Sequence, residues 1–130
     1  MKKSDKAVIA IVDDEDSICN SLECLLRSAG LNAKSFLNGP DFLRFLENDR
    51  PDCLVLDLNM MPMNGFSVLD RLAQLRLKLP VIVITGEDKE EIYERAMNKG
   101  ISAFFRKPVD GQLLLDAIDD AVGYRVYTPN

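Results

Sequence analysis

Short apolar runs alternate with longer segments of helical periodicity along this chain of 130 residues, and that alternation strongly limits the possible folds. The runs suit strands buried on both faces and are too short to cross a membrane. Strands separated by helices join through right-handed crossovers into one parallel sheet covered on both faces. The sequence therefore predicts one doubly wound α/β domain over residues 7–122. Its predicted strands are 7–12, 31–36, 53–57, 81–84 and 102–105, and its predicted helices are 18–29, 42–46, 66–75, 89–98 and 113–122.

Polar side chains stand at the ends of four of these strands. Asp13 and Asp14 follow the first, Asp57 closes the third, Thr85 follows the fourth and Lys107 lies just beyond the last. Open parallel sheets bind ligands at the carboxyl ends of their strands. We therefore expect the carboxylates, the hydroxyl and the ammonium group to share one rim of the sheet.

Three of these side chains are carboxylates, which repel each other at short range unless a cation lies between them. Asp13, Asp14 and Asp57 offer hard oxygen ligands. Such a set suits Mg²⁺, which prefers octahedral oxygen coordination and keeps several waters, and Mn²⁺ is an acceptable substitute. In the alternative interpretation, Asp13 and Asp14 only open the next helix and offset the positive end of its dipole.

Asp57 could act on phosphorus, because a carboxylate oxygen can serve as a nucleophile and form an aspartyl phosphate. The charge of the incoming phosphoryl group would then be offset by Thr85, Lys107 and the metal. Alone, Asp57 could equally be a strand end exposed to water. The complete set of residues favours the phosphoacceptor.

Composition excludes several other functions. A net charge of −5 argues against direct nucleic-acid binding, which usually needs a surplus of lysine and arginine. The chain has no histidine, and Cys19, Cys24 and Cys53 form no paired motif, which excludes a zinc site and histidine-based catalysis. We interpret the cysteines as reduced packing residues. With no signal peptide or hydrophobic anchor, a cytoplasmic protein is expected, with a mobile lead at 1–6 and a tail or linker stump at 123–130.

At these positions the chain resembles the receiver domain of two-component response regulators, which has the fold of the chemotaxis regulators. The resemblance covers residues 7–122 and depends on five short pieces that occur in the right order and on the right strands. It implies a flavodoxin-like three-layer sandwich with five parallel strands in the order 2-1-3-4-5 and five helices. The five pieces are Asp13-Asp14, the strand 54–57, Gly65, Ile84-Thr85-Gly86 and 105–108.

The resemblance implies that Asp57 takes a phosphoryl group from a histidine kinase or histidine phosphotransfer protein in the presence of Mg²⁺. Asp14 would bind the metal directly, Asp13 would act mainly through water, and the backbone carbonyl of Asn59 would complete the protein ligands. The family often has Met-Pro directly after the Asn59 position, whereas here Pro62 stands one residue later. We interpret this as a substitution within a loop of normal length.

The resemblance also implies a switch. Thr85 and Lys107 would contact the phosphoryl oxygens, and the bond before Pro108 is often cis in this family. Phosphorylation would draw Thr85 inward and let Phe104 turn into the space behind it, which would change the surface of the fourth helix, fifth strand and fifth helix. The alternative role of Phe104 is ordinary core packing.

Two more positions, Asn59 and Glu87, are those that tune dephosphorylation in the family. The chain is expected to promote only its own phosphoryl transfer and slow hydrolysis, and otherwise not to be an enzyme. An output domain or a second copy would dock on the switching surface. The sequence leaves open a stand-alone regulator, a relay intermediate or the receiver of a transcription factor, although Ile84-Thr85-Gly86 slightly favours receivers joined to helix-turn-helix domains.

Three other classes of protein share parts of this pattern. A phosphatase of the haloacid dehalogenase type needs a second acid two residues after the aspartate, where this chain has Asn59. A receiver-like module that docks without being phosphorylated would show damage to the acidic pair, Thr85 or Lys107, and none is found. A dinucleotide site is disfavoured because no glycine-rich turn follows the first strand.

Overall fold

Strands and helices alternate along the chain in this computed structural model, which describes residues 6–126 and the side chains of 6–122. All neighbouring strands are parallel, and the five-stranded sheet has the order β2-β1-β3-β4-β5. The predicted fold and strand order are thereby confirmed. The elements are β1 (Val8–Val12), α1 (Asp16–Ser28), β2 (Asn32–Phe36), α2 (Gly39–Phe45), β3 (Cys53–Asp57), α3 (Gly65–Gln74), β4 (Val81–Thr85), α4 (Glu90–Asn98), β5 (Ala103–Arg106) and α5 (Gly111–Val126).

The middle of the sheet is buried on both faces. Every residue of β3 and β4 is buried, as expected for short runs of apolar side chains rich in β-branched residues. Helices α1 and α5 pack on one face, and α2, α3 and α4 pack on the other. The domain is therefore a three-layer sandwich whose rigid centre carries Asp57 at its carboxyl edge.

Local signals mark several helix ends, although α1 and α4 begin without a side-chain cap. The side chain of Asn38 caps α2 by accepting a hydrogen bond from the amide of Asp41 at 2.8 Å, and Asn64 caps α3 in the same way. Gly30 follows α1 with a φ of 84°, the left-handed conformation that suits glycine. After α3, however, Arg76 takes a φ of 58° where no glycine is available.

Some boundaries and burial states differ from expectation. Helix α5 continues to Val126, so the first four residues of the predicted tail are helical. Residues 127–130 of that tail and residues 1–5 of the predicted lead lie outside the described residues. Cys19 and Cys53 are buried as packing residues, but Cys24 is exposed on α1. Within residues 6–126, no helix is long and apolar enough to span a membrane.

Candidate functional site

Three carboxylates meet at the carboxyl edge of the sheet. The pairing of β1 with β3 sets Val12 beside Leu56, so the residues that follow them, Asp13 and Asp57, become neighbours. One oxygen each from Asp13, Asp14 and Asp57 lie within 4.8 Å of one another. Asp13 and Asp57 are buried, with exposed fractions of 0% and 1%, whereas Asp14 is exposed.

Asp13 is turned into the site and does not cap the following helix. Its Oδ1 accepts a hydrogen bond from the amide of Glu15 at 2.9 Å, and α1 begins only at Asp16 with no side-chain cap. Its Oδ2 is buried and no described donor approaches it in hydrogen-bond geometry, although the Lys107 ammonium lies 2.8 Å away. Asp13 thus joins the residue before α1 to the Lys107 ammonium, so a role beside the start of α1 and a role in the acidic site are compatible.

The ammonium group of Lys107 lies close to three carboxylates at this edge of the sheet. Its Nζ lies 2.8 Å from Asp13 Oδ2, 3.3 Å from Glu15 Oε1 and 3.5 Å from Asp57 Oδ2. The peptide bond between Lys107 and Pro108 is cis, as the resemblance implied. Burial alone would lower the pKa of the Lys107 ammonium, but the close Asp13 and Asp57 carboxylates outweigh burial and raise this pKa. Lys107 therefore stays charged at neutral pH.

Asp57 is hard to ionise for a carboxylate. Burial, and then the charge of Asp13, raise the pKa of Asp57 to about 6, and the nearby Lys107 ammonium and the amide of Asn59 only partly offset them. The Asn59 amide donates to Asp57 Oδ1 at 3.2 Å. At neutral pH the group is mostly ionised but poorly compensated, which suits a carboxylate that receives an electrophile or a cation.

The hydroxyl of Thr85 lies at the end of β4 on the same edge. Thr85 is buried, and its Oγ1 accepts a hydrogen bond from the amide of Glu87 at 3.1 Å. The backbone amide of Lys107 donates to the Thr85 carbonyl at 2.8 Å, which holds β4 against the loop after β5. The side chain of Asn59 donates to Glu87 Oε2 at 3.2 Å, and this bond joins the loops after β3 and β4.

Phe104 lies apart from these groups, on β5. Its ring is half-buried and packs edge-on against Tyr93 of α4, with ring centroids 5.1 Å apart. Both rings stand on the side of the sheet covered by α2, α3 and α4. The predicted switch aromatic is thus partly exposed next to α4 rather than fully enclosed in the core.

Sequence reasoning missed two contributors to the site. Glu15 was not singled out, although a third acidic residue directly after Asp13-Asp14 was a visible signal. Gly65 was used only as a motif residue, but a Cβ there would stand 2.6 Å from the carbonyl oxygen of Asp57. In addition, the bond between Met61 and Pro62 is cis, and no sequence signal indicated it.

The donor set fits a hard divalent cation. The three carboxylates supply oxygen ligands of the kind that Mg²⁺ prefers. One of these oxygens, Asp13 Oδ2, accepts no hydrogen bond, and Asp14 is open to solvent for metal-bound water. No nitrogen or sulfur ligand takes part in this cluster, so softer metals such as zinc are disfavoured. The acidic pocket therefore fits Mg²⁺.

Comparison with known proteins finds response regulators among the relatives of this chain. Nodulation protein W of Bradyrhizobium diazoefficiens is 36% identical over 115 residues, which cover 88% of this chain and 51% of that protein. Response regulator protein TmoT of Ectopseudomonas mendocina is 36% identical over 117 residues, which cover 90% of this chain and 53% of that protein. The chain thus spans about half the length of the curated relatives that it matches.

Solved structures and family membership give the same result. The crystal structure of a response regulator receiver protein from Burkholderia phymatum is 36% identical and has a TM-score of 0.81, with 91% of this chain and 96% of that one covered. The family model of the response regulator receiver domain matches residues 9–119. The chain therefore belongs to the response regulator receiver domain family, whose members are signalling modules of two-component systems.

Proposed function

We propose that this chain is a phosphorylation-dependent switch in which Asp57 accepts a phosphoryl group from a histidine kinase or histidine phosphotransfer protein. The observation that carries this proposal is the Lys107 ammonium, which lies 3.5 Å from Asp57 Oδ2 and 2.8 Å from Asp13 Oδ2. Burying such charges costs free energy, and a module that only docks would gain nothing from them. This cluster favours phosphoryl transfer over the docking-only alternative.

In the proposed reaction, a carboxylate oxygen of Asp57 attacks phosphorus. A P–O bond forms as the donor's P–N bond breaks, and the electron pair of the broken bond stays on the donor imidazole. The pKa of Asp57, about 6, leaves most molecules ionised at neutral pH and ready to attack. The Lys107 ammonium and the Thr85 hydroxyl would offset the charge on the phosphoryl oxygens.

We further propose that Mg²⁺ is held by Asp14 directly, by Asp13 mainly through water, by Asp57 and by the backbone carbonyl of Asn59. The carboxylate cluster supports the first three ligands. The hydrogen bond from the Asn59 amide to Asp57 Oδ1 keeps the Asn59 backbone next to the acceptor. When bound, the cation would neutralise charge on both the carboxylates and the phosphoryl group.

The proposed switch couples Thr85 to Phe104. A phosphoryl group on Asp57 would draw the Thr85 hydroxyl away from its bond with the Glu87 amide and so open the space toward β5. Phe104 can respond because its ring is only half-buried and leans on Tyr93, which is itself 43% exposed. The surface of α4, β5 and α5 would change with it, and an output domain or a second copy would bind there.

Asn59 and Glu87 would set the lifetime of the acyl phosphate. Their hydrogen bond spans the two loops that flank Asp57 and Thr85, where an attacking water must enter. Apart from this slow hydrolysis and its own phosphorylation, we propose no enzyme activity for the chain. A relative named transcriptional regulatory protein FixJ, from Rhizobium meliloti, is 34% identical over 113 residues, which supports an output in transcription as one possibility beside a stand-alone or relay role.

Intact-mass spectrometry after incubation with acetyl phosphate tests the phosphoacceptor. The wild type should gain one phosphoryl group with Mg²⁺ and none with EDTA, and Asp57→Asn should gain none in either buffer. Asp120→Asn, which removes the same charge from an exposed position on α5, should behave as the wild type. No gain by folded wild type that binds Mg²⁺ would favour the docking-only module, and a gain by Asp57→Asn would refute the assignment.

A further inference from the structure

A groove runs between α2 and α3 at the amino edge of the sheet, away from the acidic site. A cavity of about 440 Å³ lies between the two helices, and an adjoining cavity of about 250 Å³ reaches Pro51, just before β3. The two cavities share Leu46, Arg50 and Leu77. We call this joined surface the basic groove.

The charge of the basic groove is opposite to that of the chain. Arg44, Arg50, Arg71 and Lys78 line it, whereas Glu47 is the one acidic residue among the lining residues of the two cavities. The chain as a whole has a net charge of −5. This local surplus of cations forms a positive patch on an acidic protein, and such a patch attracts anionic partners.

Two of these arginines have no acidic partner among the described residues. Arg50 donates only to two backbone carbonyl oxygens, and Arg71 donates to the neutral side chain of Gln74 at 3.0 Å. A guanidinium group carries five donors in a planar fork that matches a carboxylate. Both arginines therefore retain capacity for charged hydrogen bonds with a ligand.

The floor of the basic groove is apolar. Leu43 of α2 and leucines that directly follow α2 and α3 form it, and Leu75 is 43% exposed. Arginines beside exposed apolar side chains are the composition that protein interfaces favour. The leucines of the floor are Leu43, Leu46, Leu75 and Leu77.

We propose that the basic groove docks an acidic amphipathic segment of a partner protein. Its carboxylates would pair with Arg50 and Arg71, and its apolar side chains would cover Leu75. Nucleic acid fits less well, because no aromatic side chain lines the groove for base stacking and the net charge of −5 repels a polyanion. Since Asp57 lies at the opposite edge of the sheet, this docking would leave phosphorylation unobstructed and does not depend on it.

Fluorescence anisotropy with a labelled helical peptide of about 16 residues, long enough to hold a helix, tests the groove. The peptide carries leucines along one face with glutamates beside them. Saturable binding to the full chain is expected, and replacing the glutamates by lysine should weaken it about tenfold or more. Arg50→Glu/Arg71→Glu should weaken it similarly, and Arg71→Glu alone should weaken it in part.

Arg27→Glu/Lys89→Glu is the matched control, because it makes the same charge change on α1 and before α4. Its binding should stay within about twofold of the wild type, and thermal unfolding should show that all variants are folded. No saturable binding, equal loss in the control variant, or equal binding after the peptide leucines are changed to alanine would overturn the proposal. Tighter binding of phosphatidylserine vesicles or single-stranded DNA through the same arginines would also overturn the choice of a protein segment.

Discussion

The burial of Asp57 suits its proposed function but lowers the stability of the fold. Its carboxylate is buried beside Asp13, and one ammonium group, that of Lys107, must serve both. The same desolvation makes the carboxylate poorly compensated and therefore ready to receive an electropositive group. We expect the cost of burying ionised Asp57 to appear as pH-dependent stability of the metal-free chain.

The sign follows from the raised pKa of Asp57. Between pH 3.8 and about 6 the folded chain binds more protons at Asp57 than the unfolded chain does, so the contribution of Asp57 to the free energy of unfolding falls as pH rises through this range. The fall should reach at most about 3 kcal/mol and should be absent in Asp57→Asn. Chemical denaturation in EDTA at several pH values measures it, and parallel profiles for the two proteins would contradict the prediction.

Glu15 competes for the Lys107 ammonium, with Oε1 at 3.3 Å. If Lys107 serves the phosphoryl group as proposed, Glu15→Gln should speed phosphorylation by acetyl phosphate about twofold, because one of the three carboxylates around the ammonium loses its charge. Stability should change by less than about 0.5 kcal/mol, since the Glu15 side chain is 60% exposed. Rates from intact-mass spectrometry measure the effect.

Two comparisons separate this competition from general electrostatics. Glu94→Gln, on α4, removes the same charge at an exposed position and should leave the rate unchanged. In a Lys107→Ala background, Glu15→Gln should have no further effect, because the group that it restrains is gone. Equal acceleration with and without Lys107 would show that Glu15 acts only through its charge.

The junction between β3 and α3 depends on the absence of a side chain at Gly65. A Cβ there would stand 2.6 Å from the Asp57 carbonyl oxygen and 2.7 Å from Leu58 Cα, both of which belong to the backbone. Gly65→Ala should therefore lower the free energy of unfolding by about 3 kcal/mol, as overpacking against a rigid strand does. Gly86→Ala is the control, because a Cβ there meets nothing within 4 Å, and its cost should stay below about 0.5 kcal/mol.

Urea denaturation of the two glycine variants measures both values. Equal stability of Gly65→Ala and the wild type would mean that the start of α3 can move away from β3. In that case Gly65 would matter for helix geometry alone, and the backbone next to Asp57 would shift more easily than its burial indicates.

At the scale of elements, the strands and helices could be predicted because their apolar patterns are local and strong. The order of the strands followed from the family resemblance, and the sheet confirms it. The end of α5 was missed because its predicted apolar stripe ends at Val122, yet the helix continues through Gly123 to Val126. The conformation of Arg76 could not be predicted, since it has no glycine or asparagine signal.

For the site, sequence order supplied the residues but not their contacts. Asp13, Asp57 and Lys107 could be placed on one edge because parallel strands share it, and their distances agree with that expectation. Sequence could not show that the Lys107 ammonium lies close to three carboxylates at once, because this depends on side-chain burial and loop geometry. The ion pair between Glu15 and Lys107 is visible only in the three-dimensional structure.

At the scale of the whole molecule, the acidic site and the basic groove lie at opposite edges of the sheet. The acidic cluster occupies the carboxyl edge of the sheet, and the groove between α2 and α3 opens toward the amino edge, with the buried strands β3 and β4 between them. A partner held in the groove would therefore leave the site accessible. If the groove docks a partner as proposed, this arrangement would let one small domain bind two partners of different kinds at once.

Metal binding should stabilise the whole fold, because the carboxylates that would hold Mg²⁺ lie directly after β1 and at the end of β3, two neighbouring strands at the centre of the sheet. Mg²⁺ at ten times its dissociation constant should stabilise the folded chain by about 1.4 kcal/mol, since the unfolded chain has no such cluster. Thermal unfolding with Mg²⁺ and with EDTA measures this gain. Asp14→Asn should lose most of it, whereas Asp120→Asn should keep it. If instead Asp14→Asn were stabilised by Mg²⁺ as strongly as the wild type, the cation would bind elsewhere, and Asp13 and Asp57 would be held together by Lys107 alone.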